Sequence, residues 1–449
     1  MMKKAVLLLV FFGVFSCVFF CSCSSFAFIQ PVSSLLNPPL YYPEYEELVN
    51  AFNRDVRTDK QFCIPYEGDY SSAIVVDNID SDAEEEALIF YRNKNENFAK
   101  MHYFDFTGSE WITSGDFNGY GNNVKSLFVN DLDNDGIGEL IVIWETSGVQ
   151  TGDVMSVYRK TAAENSYREI ANEPCLITNV VDINSDGYDE IFYICQSSFG
   201  NTVQKIAKVL RLSGDSVVIM GETKLDSNIS SYASVKTEKE SESSPLKIYV
   251  DALKGEKQMI TELIYWDSEK SQLVAPWLDE ETLTNSITMR YEPVECYDIN
   301  NDGKIDIPVQ IIFGTEEEIK ETLESERLYL TVWMNFNNGN ATVVENTLIN
   351  FSDGYYIKLT EEEINSIGVR VYKQKNCWVV YLKNEYKNTE EAIFSVIRID
   401  KKKWETENFD SYISISEKNE GVVCVYITET GKNLGINEKT IRNKIFNFS

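Results

Sequence analysis

Histidine is nearly absent from this chain. Of its 449 residues only one, His102, is a histidine. A histidine-based zinc site is thereby excluded in any ordinary form. A Ser-His-Asp or Cys-His nucleophile system would have to use His102, whose surroundings, KMHYFDF, read as a strand; it is read as structural. There is no CxxC pair, no P-loop and no dinucleotide fingerprint. Positive charge is scarce: 41 Lys and Arg face 71 Asp and Glu, for a net charge of −30. Such a chain repels nucleic acid phosphates and anionic lipid surfaces and attracts cations. With 43% hydrophobic and 12% aromatic residues it can still bury a core, so it is not a disordered acidic tail.

What is present is a repeated acidic loop. In NDLDNDGIGELIVIW, Asp131, Asp133, Asp135 and Glu139 fall at positions 1, 3, 5 and 9, with Gly136 at position 6 and Ile137 at position 7. Calcium takes six to eight hard oxygens, and alternate residues of a tight loop aim several carboxylates at one centre, with a backbone carbonyl at position 7. Glycine at position 6 permits the sharp turn. The pattern recurs as Asp182, Asn184, Asp186, Tyr188 and Glu190, and as Asp298, Asn300, Asp302, Lys304 and Asp306. Asn78, Asp80, Asp82 and Glu86 form a weaker copy, with Ala83 at the glycine position. An alanine held there in a left-handed turn would cost about 1–2 kcal/mol. An EF-hand is excluded, because its loop closes with a Glu at position 12. Position 12 here is Val142, Tyr193 and Val309. The flanks are short β-forming runs, read as buried strands.

The spacing sets the architecture. Asn78 to Asp131 is 53 residues, Asp131 to Asp182 is 51, and Asp182 to Asp298 is 116, twice 58. A period near 55 with one skipped register predicts a degenerate copy near residue 237, where SVKTEKESESSPLKIYVDA reads as an acidic loop and a strand without a metal pattern. Repeats of this length, built of short strands, suggest four-stranded propeller blades. On these loops the chain resembles the FG-GAP and VCBS repeat proteins, integrin-like β-propellers whose blades carry DxDxDGxx[DE] loops between two strands. The resemblance spans roughly residues 63–350 and lies in the metal loop; the Phe-Gly…Gly-Ala-Pro part of the family motif is not recognisable. It implies a mainly β fold of five to seven blades with Ca2+ as the bound ion.

The ends read differently. Residues 1–25 form a targeting segment, with Lys3 and Lys4 before the apolar run Ala5–Phe15. Val14-Phe15-Ser16-Cys17 resembles a bacterial lipobox, with Cys17 lipidated; Cys23 is the second candidate. Ordinary cleavage after Ala27 and an uncleaved anchor helix are the competing readings. Residues 26–60 hold four prolines and then a short helix with Leu48, Phe52 and Val56 on one face. Residues 61–350 carry the repeats. Thr315 and Thr360 each open a capping box with the Glu three residues on. Residues 351–449 read as a small α+β domain or as closing blades. Asn437 is expected to cap a final helix with Ile441, Ile445 and Phe446 on one face.

Six cysteines lie beyond the targeting segment (Cys63, Cys175, Cys195, Cys296, Cys377, Cys424), and buried thiols or disulfides are both open. The seven tryptophans serve either as core or as exposed stacking platforms. The expectation is an extracytoplasmic, lipid-anchored, monomeric calcium-binding propeller that binds a protein or polysaccharide, not nucleic acid. The alternatives are a calcium-dependent, lyase-like polysaccharide-active enzyme and a purely structural envelope protein.

Overall fold

Alternating apolar runs of five to ten residues, punctuated by acidic or glycine-bearing loops, make strands rather than helices. The computed structural model describes residues 45–146, 152–161, 166–199, 202–239, 241, 244–255, 257–323, 326–337, 340–384, 389–418 and 421–448. The targeting segment, both lipidation candidates and the proline-rich tether lie outside the described residues. The protein is mainly β, with antiparallel sheets of four or five strands. It divides into two units. One comprises Met1–Val129, Leu140–Ser147 and Lys160–Arg168; the other comprises Asn130–Glu139, Gly148–Arg159 and Glu169–Ser449.

The first unit opens with helix α1 (Glu46–Asp55), which buries Leu48, Ala51 and Phe52. Its sheet contains β1 (Lys60–Phe62), β2 (Ile74–Asp77), β3 (Glu86–Asn93), β4 (Lys100–Phe106) and β5 (Trp111–Asn118), ordered β1-β3-β4-β5 with β2 also on β3. The buried face of α1 packs on Ala87, Ile89, Tyr91, Phe104 and Trp111. His102 is buried in this seam. Its Nδ1 lies 3.1 Å from Asp116 and its Nε2 3.2 Å from Thr113 Oγ1, which in turn donates to Asp55 of the helix. The histidine ties α1 to the sheet, as its sequence setting suggested.

Four strands follow: β6 (Asn123–Asn130), β7 (Glu139–Glu145), β8 (Asp153–Arg159) and β9 (Arg168–Cys175). In the second unit, β10 (Ile177–Val181), β11 (Glu190–Phe199), β12 (Thr202–Ser213) and β13 (Ser216–Lys224) form one sheet. The next contains β14 (Ile229–Glu238), β15 (Lys247–Lys254), β16 (Gln258–Asp267) and β17 (Gln272–Val274). This is the register predicted near residue 237, a full four-stranded sheet. The following sheet runs β18 (Ile307–Ile312), β19 (Tyr329–Asn337), β20 (Asn340–Asn350) and β21 (Tyr355–Lys358). The last holds β22 (Ile367–Tyr372), β23 (Cys377–Asn384), β24 (Thr389–Asp400), β25 (Tyr412–Lys418) and β26 (Gly421–Ile427).

Successive sheets of this unit share cores. Phe192, Ile194 and Val209 pack with Ile248, Val250 and Ile264. Tyr249 and Leu263 pack with Cys296 and Ile307. Leu330, Leu348 and Ile357 pack with Trp378, Val380, Val396 and Val425. Five of the seven tryptophans are buried (Trp111, Trp144, Trp266, Trp333, Trp378), and the other two are half-buried. The six described cysteines are free, and all but Cys377 are buried.

The short helices α2 (Glu316–Glu321) and α3 (Glu361–Ser366) begin with the capping boxes of Thr315 and Thr360. Helices α4 (Lys401–Thr406) and α5 (Glu429–Asn433) follow. The final helix α6 (Glu438–Arg442) is capped by Asn437 as expected, but ends sooner. Ile445 and Phe446 belong instead to β27 (Ile445–Asn447), which pairs with β21. The correction has a simple cause. A five-residue helix gains little alone, whereas β21 offers an unpaired edge and Phe446 stacks on Tyr356 at 5.5 Å.

The irregular connection from β17 to β18 is pinned by buried charge. Asp251 on β15 accepts from Arg290 Nη2 at 2.7 Å, Thr261 Oγ1 at 2.6 Å and the Cys296 amide at 3.0 Å, with Asp251 and Arg290 both fully buried. Asp226 accepts from Lys254 Nζ at 2.6 Å and the Asn285 amide at 2.8 Å. Removing one partner of a buried pair leaves the other charged and unpaired, at a cost of about 3–5 kcal/mol. Arg290→Met is therefore expected to lower the denaturation midpoint of this unit strongly, whereas Lys270→Met, at an exposed pair, should leave it nearly unchanged. Urea unfolding followed by tryptophan fluorescence checks both.

Candidate metal centres

The acidic loops occupy one structural position. Asp77 pairs with Glu86, Val181 with Glu190, Glu238 with Lys247, and Tyr297 with Asp306. Each pair closes a hairpin of eight intervening residues. In the second loop, β6 ends at Asn130 and β7 begins at Glu139, with the same spacing. The position-9 acid is thus the residue on which the loop closes into the sheet, and Glu86, Glu139, Glu190 and Asp306 are each fully buried.

The backbone repeats as well. Position 4 is left-handed in all four acidic loops, at Ser81, Asn134, Ser185 and Asn301, with φ of 58–60°. Position 6 is left-handed at Gly136, Gly187 and Gly303. Ala83 does not adopt that conformation; the first loop relaxes around it, and the strain expected there is not incurred. Position 1 organises the turn: Asp131, Asp182 and Asp298 each accept the amides of positions 5 and 6 at 2.7–3.1 Å. Asn78 instead donates its side-chain amide to the Asp82 carbonyl. One oxygen of the position-9 acid accepts the position-2 amide, from Ile79 at 2.7 Å, Leu132 at 3.0 Å, Ile183 at 3.2 Å and Ile299 at 3.2 Å.

The second oxygen of that acid distinguishes the loops. Glu86 Oε1 and Glu190 Oε1 are buried without a hydrogen-bond donor, Glu139 Oε1 accepts from Arg159, and Asp306 has the neutral Asn335 side chain as its partner. Desolvation pushes the carboxyls of Glu86, Glu139 and Glu190 up to about 7 and that of Asp306 up to about 6, while the position-2 amide pulls each the other way. A buried acceptor with no donor is costly. A cation bound at the loop would relieve it, so the residues fit a metal ion.

Two groups of acids converge, with ligand oxygens within 4.8 Å of one another: Asp80, Asp82 and Glu86, and Asp131, Asp133 and Glu139. Either can hold a metal ion. In the third and fourth loops an asparagine replaces the central acid, and its amide donates to Asp186 or Asp302 at 3.0 Å. Position 7 would contribute a backbone carbonyl from Ile137, Tyr188 or Lys304.

Sequence reasoning missed the basic residues at these loops. Arg159, at the end of β8, lies 2.7 Å from Asp133, 3.4 Å from Asp135 and 3.3 Å from Glu139 Oε1. Lys160 lies 2.8 Å from Asp80 and 3.3 Å from the Tyr103 hydroxyl. Arg211 pairs with Asp186 and lies 3.6 Å from Glu190 Oε1. In the loopless register, Lys247 replaces the position-9 acid. The one signal in the sequence was an arginine 20 or 21 residues after the closing acid, Glu139 to Arg159 and Glu190 to Arg211.

No family model matches the chain, and no curated protein matches it. Among solved structures, it is similar to the Dos1 propeller at 12% identity, covering 72% of this chain and 80% of that one with a TM-score of 0.30. It is similar to Sqt1 from Saccharomyces cerevisiae at 9% identity, covering 82% and 99%, with a TM-score of 0.29. A third is the rhamnogalacturonan lyase PL11 from Bacillus licheniformis, at 9% identity, 74% and 72% coverage and a TM-score of 0.29. Likenesses this distant carry nothing about ligand or activity.

The raised carboxyls predict a pH dependence for metal-free protein. A group whose pKa is higher folded than unfolded stabilises the fold below its unfolded value and loses that contribution as pH rises through the folded one. For Glu86, Glu139 and Glu190 the window runs from 4.5 to about 7. In chelator, the melting temperature should fall as pH rises across that window, and Glu190→Gln should make the fall shallower. Thermal melts at stepped pH check it.

Proposed function

We propose that this chain is an extracytoplasmic calcium-binding β-propeller that serves as a binding or scaffold module. The observation that carries the reading is the recurring eight-residue acidic loop, closed each time by a buried carboxylate whose second oxygen meets Arg159 in the second loop and has no donor in the first and third. Calcium suits this donor set better than a transition metal. The donors are carboxylate, amide and backbone oxygens in a flexible loop, with no histidine or thiolate among them. The second loop would supply Asp131, Asp133, Asp135, Glu139 and the Ile137 carbonyl. The third would supply Asp182, Asn184, Asp186, Glu190 and the Tyr188 carbonyl. The fourth would supply Asp298, Asn300, Asp302, Asp306 and the Lys304 carbonyl. The role of the ion is structural: it offsets repulsion among acids that the hairpin forces together.

The sheets of the second unit, stacked in chain order through shared cores, support their reading as successive blades. With the first sheet and strands β6–β9, we read them as six blades. The recurring acidic loop ahead of a strand is what supports the FG-GAP and VCBS reading. Residues 1–25 are read as a lipoprotein signal that places the chain on the outer face of the cell membrane through Cys17 or Cys23. A protein or polysaccharide at that surface is the partner class proposed.

Calcium should bind the purified protein and raise its melting temperature, by calorimetry and by melting with and without chelator. A ligand at a hundred times its Kd stabilises by about 2.7 kcal/mol, enough to resolve. Absence of both heat and shift would overturn the calcium reading. Metabolic labelling with palmitate should be lost in Cys17→Ala or Cys23→Ala, and labelling kept in both would remove the anchor.

A further inference from the structure

We infer that the chain's own basic side chains set the order in which the loops take metal, and that the Asp298–Asp306 loop is the tightest site. This rests on the calcium reading above and adds to it a ranking that the acidic motif alone does not contain.

The loops differ in what already neutralises them. In the second loop, Arg159 is almost fully buried and donates to the Glu139 oxygen whose counterpart is unpartnered in the first and third loops. It also reaches Asp133 and Asp135, so it stands among the oxygens that would ligate an ion. In the third loop, Arg211 pairs with Asp186 but is one-third exposed, and Glu190 Oε1 stays without a hydrogen bond. In the first loop, Lys160 engages Asp80, and Asn78 has turned its amide inward. In the register without a metal pattern, Lys247 stands in the acid's place. The fourth loop has no such partner: among the described residues no Lys or Arg pairs with Asp298, Asp302 or Asp306. There the fully buried Asp306 has only neutral partners, the Ile299 amide and the Asn335 side chain.

A side chain seated among ligand oxygens competes with an ion for the same charge, and the competition is stronger where water is excluded. The ranking follows. The fourth loop binds with no internal competitor. The third binds after displacing a partly solvated arginine. The second binds only if a buried guanidinium leaves. The first, lacking its glycine and its position-1 acceptor, is held by Lys160 without metal.

Calcium titration of the full-length protein by calorimetry, with melting curves in chelator and in calcium, tests this. Wild type should show one tight site and weaker binding at least tenfold poorer. Asp306→Asn should remove the tight phase. Arg159→Gln should tighten one weak site at least tenfold and enlarge the calcium-induced rise in melting temperature. A merely structural arginine would instead lower the melting temperature equally with and without calcium. Arg211→Gln, at a more exposed position, should tighten a different site and serves if Arg159→Gln does not fold. A tight phase that survives Asp306→Asn, or weak phases unchanged in both arginine variants, overturns the ranking while leaving calcium binding intact. No binding in any of these proteins overturns the calcium reading itself.

Discussion

In each repeat with an acidic loop, the residue that closes the loop into the sheet is a buried carboxylate, and much else in the repeat answers to that one placement. A buried carboxylate is tolerated only when its oxygens find donors or a counter-charge. One oxygen is always satisfied by the position-2 amide of the loop, which fixes the loop's entry. That bond shapes the hairpin and leaves the other oxygen in need of positive charge. The differences among the repeats are differences in where that charge comes from.

The register at Glu238 and Lys247 shows that the hairpin does not depend on the acids. It keeps the eight-residue span and the antiparallel pairing while replacing the closing carboxylate with a lysine. A lysine there carries the positive charge within the chain, and the polar loop before it needs no position-1 aspartate. The fold therefore specifies the hairpin through strand pairing and core packing, and the loop chemistry is a variable laid upon it. The buried knot of Asp226, Asp251, Glu262 and Arg290 plays a comparable part for the long connection after β17. That segment has only isolated bridges, such as Arg290 with Met259 of β16, and polar bonds to the sheet stand in for a ladder.

Much of this was legible in the sequence because it is local. Alternate acids with glycine at position 6 state the loop, the apolar run after each states the strand, and the period near 55 gave the position of the silent repeat to within a residue or two. The capping boxes at Thr315 and Thr360 were legible for the same reason. Two kinds of feature were not. The end of the chain was read as a helix because Ile441, Ile445 and Phe446 fit a helical face. The edge of β21, which claims Ile445–Asn447, is about 90 residues away in sequence. Arg159, Lys160, Arg211 and Lys247 were passed over because a basic residue in a strand reads as solvated surface. Only cross-strand register shows them turned toward acids: Ile191 opposite Leu210 brings Arg211 alongside Glu190.

The second and third loops are also joined to each other. Asn130 donates to Asp189 at 3.2 Å, and Asn134 donates to the Gly187 carbonyl at 3.1 Å. The second of these bonds runs between the left-handed position 4 of one loop and the left-handed glycine of the next. A change of charge partner in one loop therefore meets a neighbour fixed at its turn. Arg159 and Arg211, each drawn into its own loop by acids at positions 5 and 9, offset part of the negative charge of this mutually braced pair of hairpins. The fourth loop has neither an internal cation nor a hydrogen-bonded neighbour loop of this kind among the described residues. Instead the Ile305 amide donates to Glu238 of the preceding register and Asn335 donates to the Ile305 carbonyl at 3.4 Å, bonds that fix the end of the loop without supplying the positive charge its acids still need.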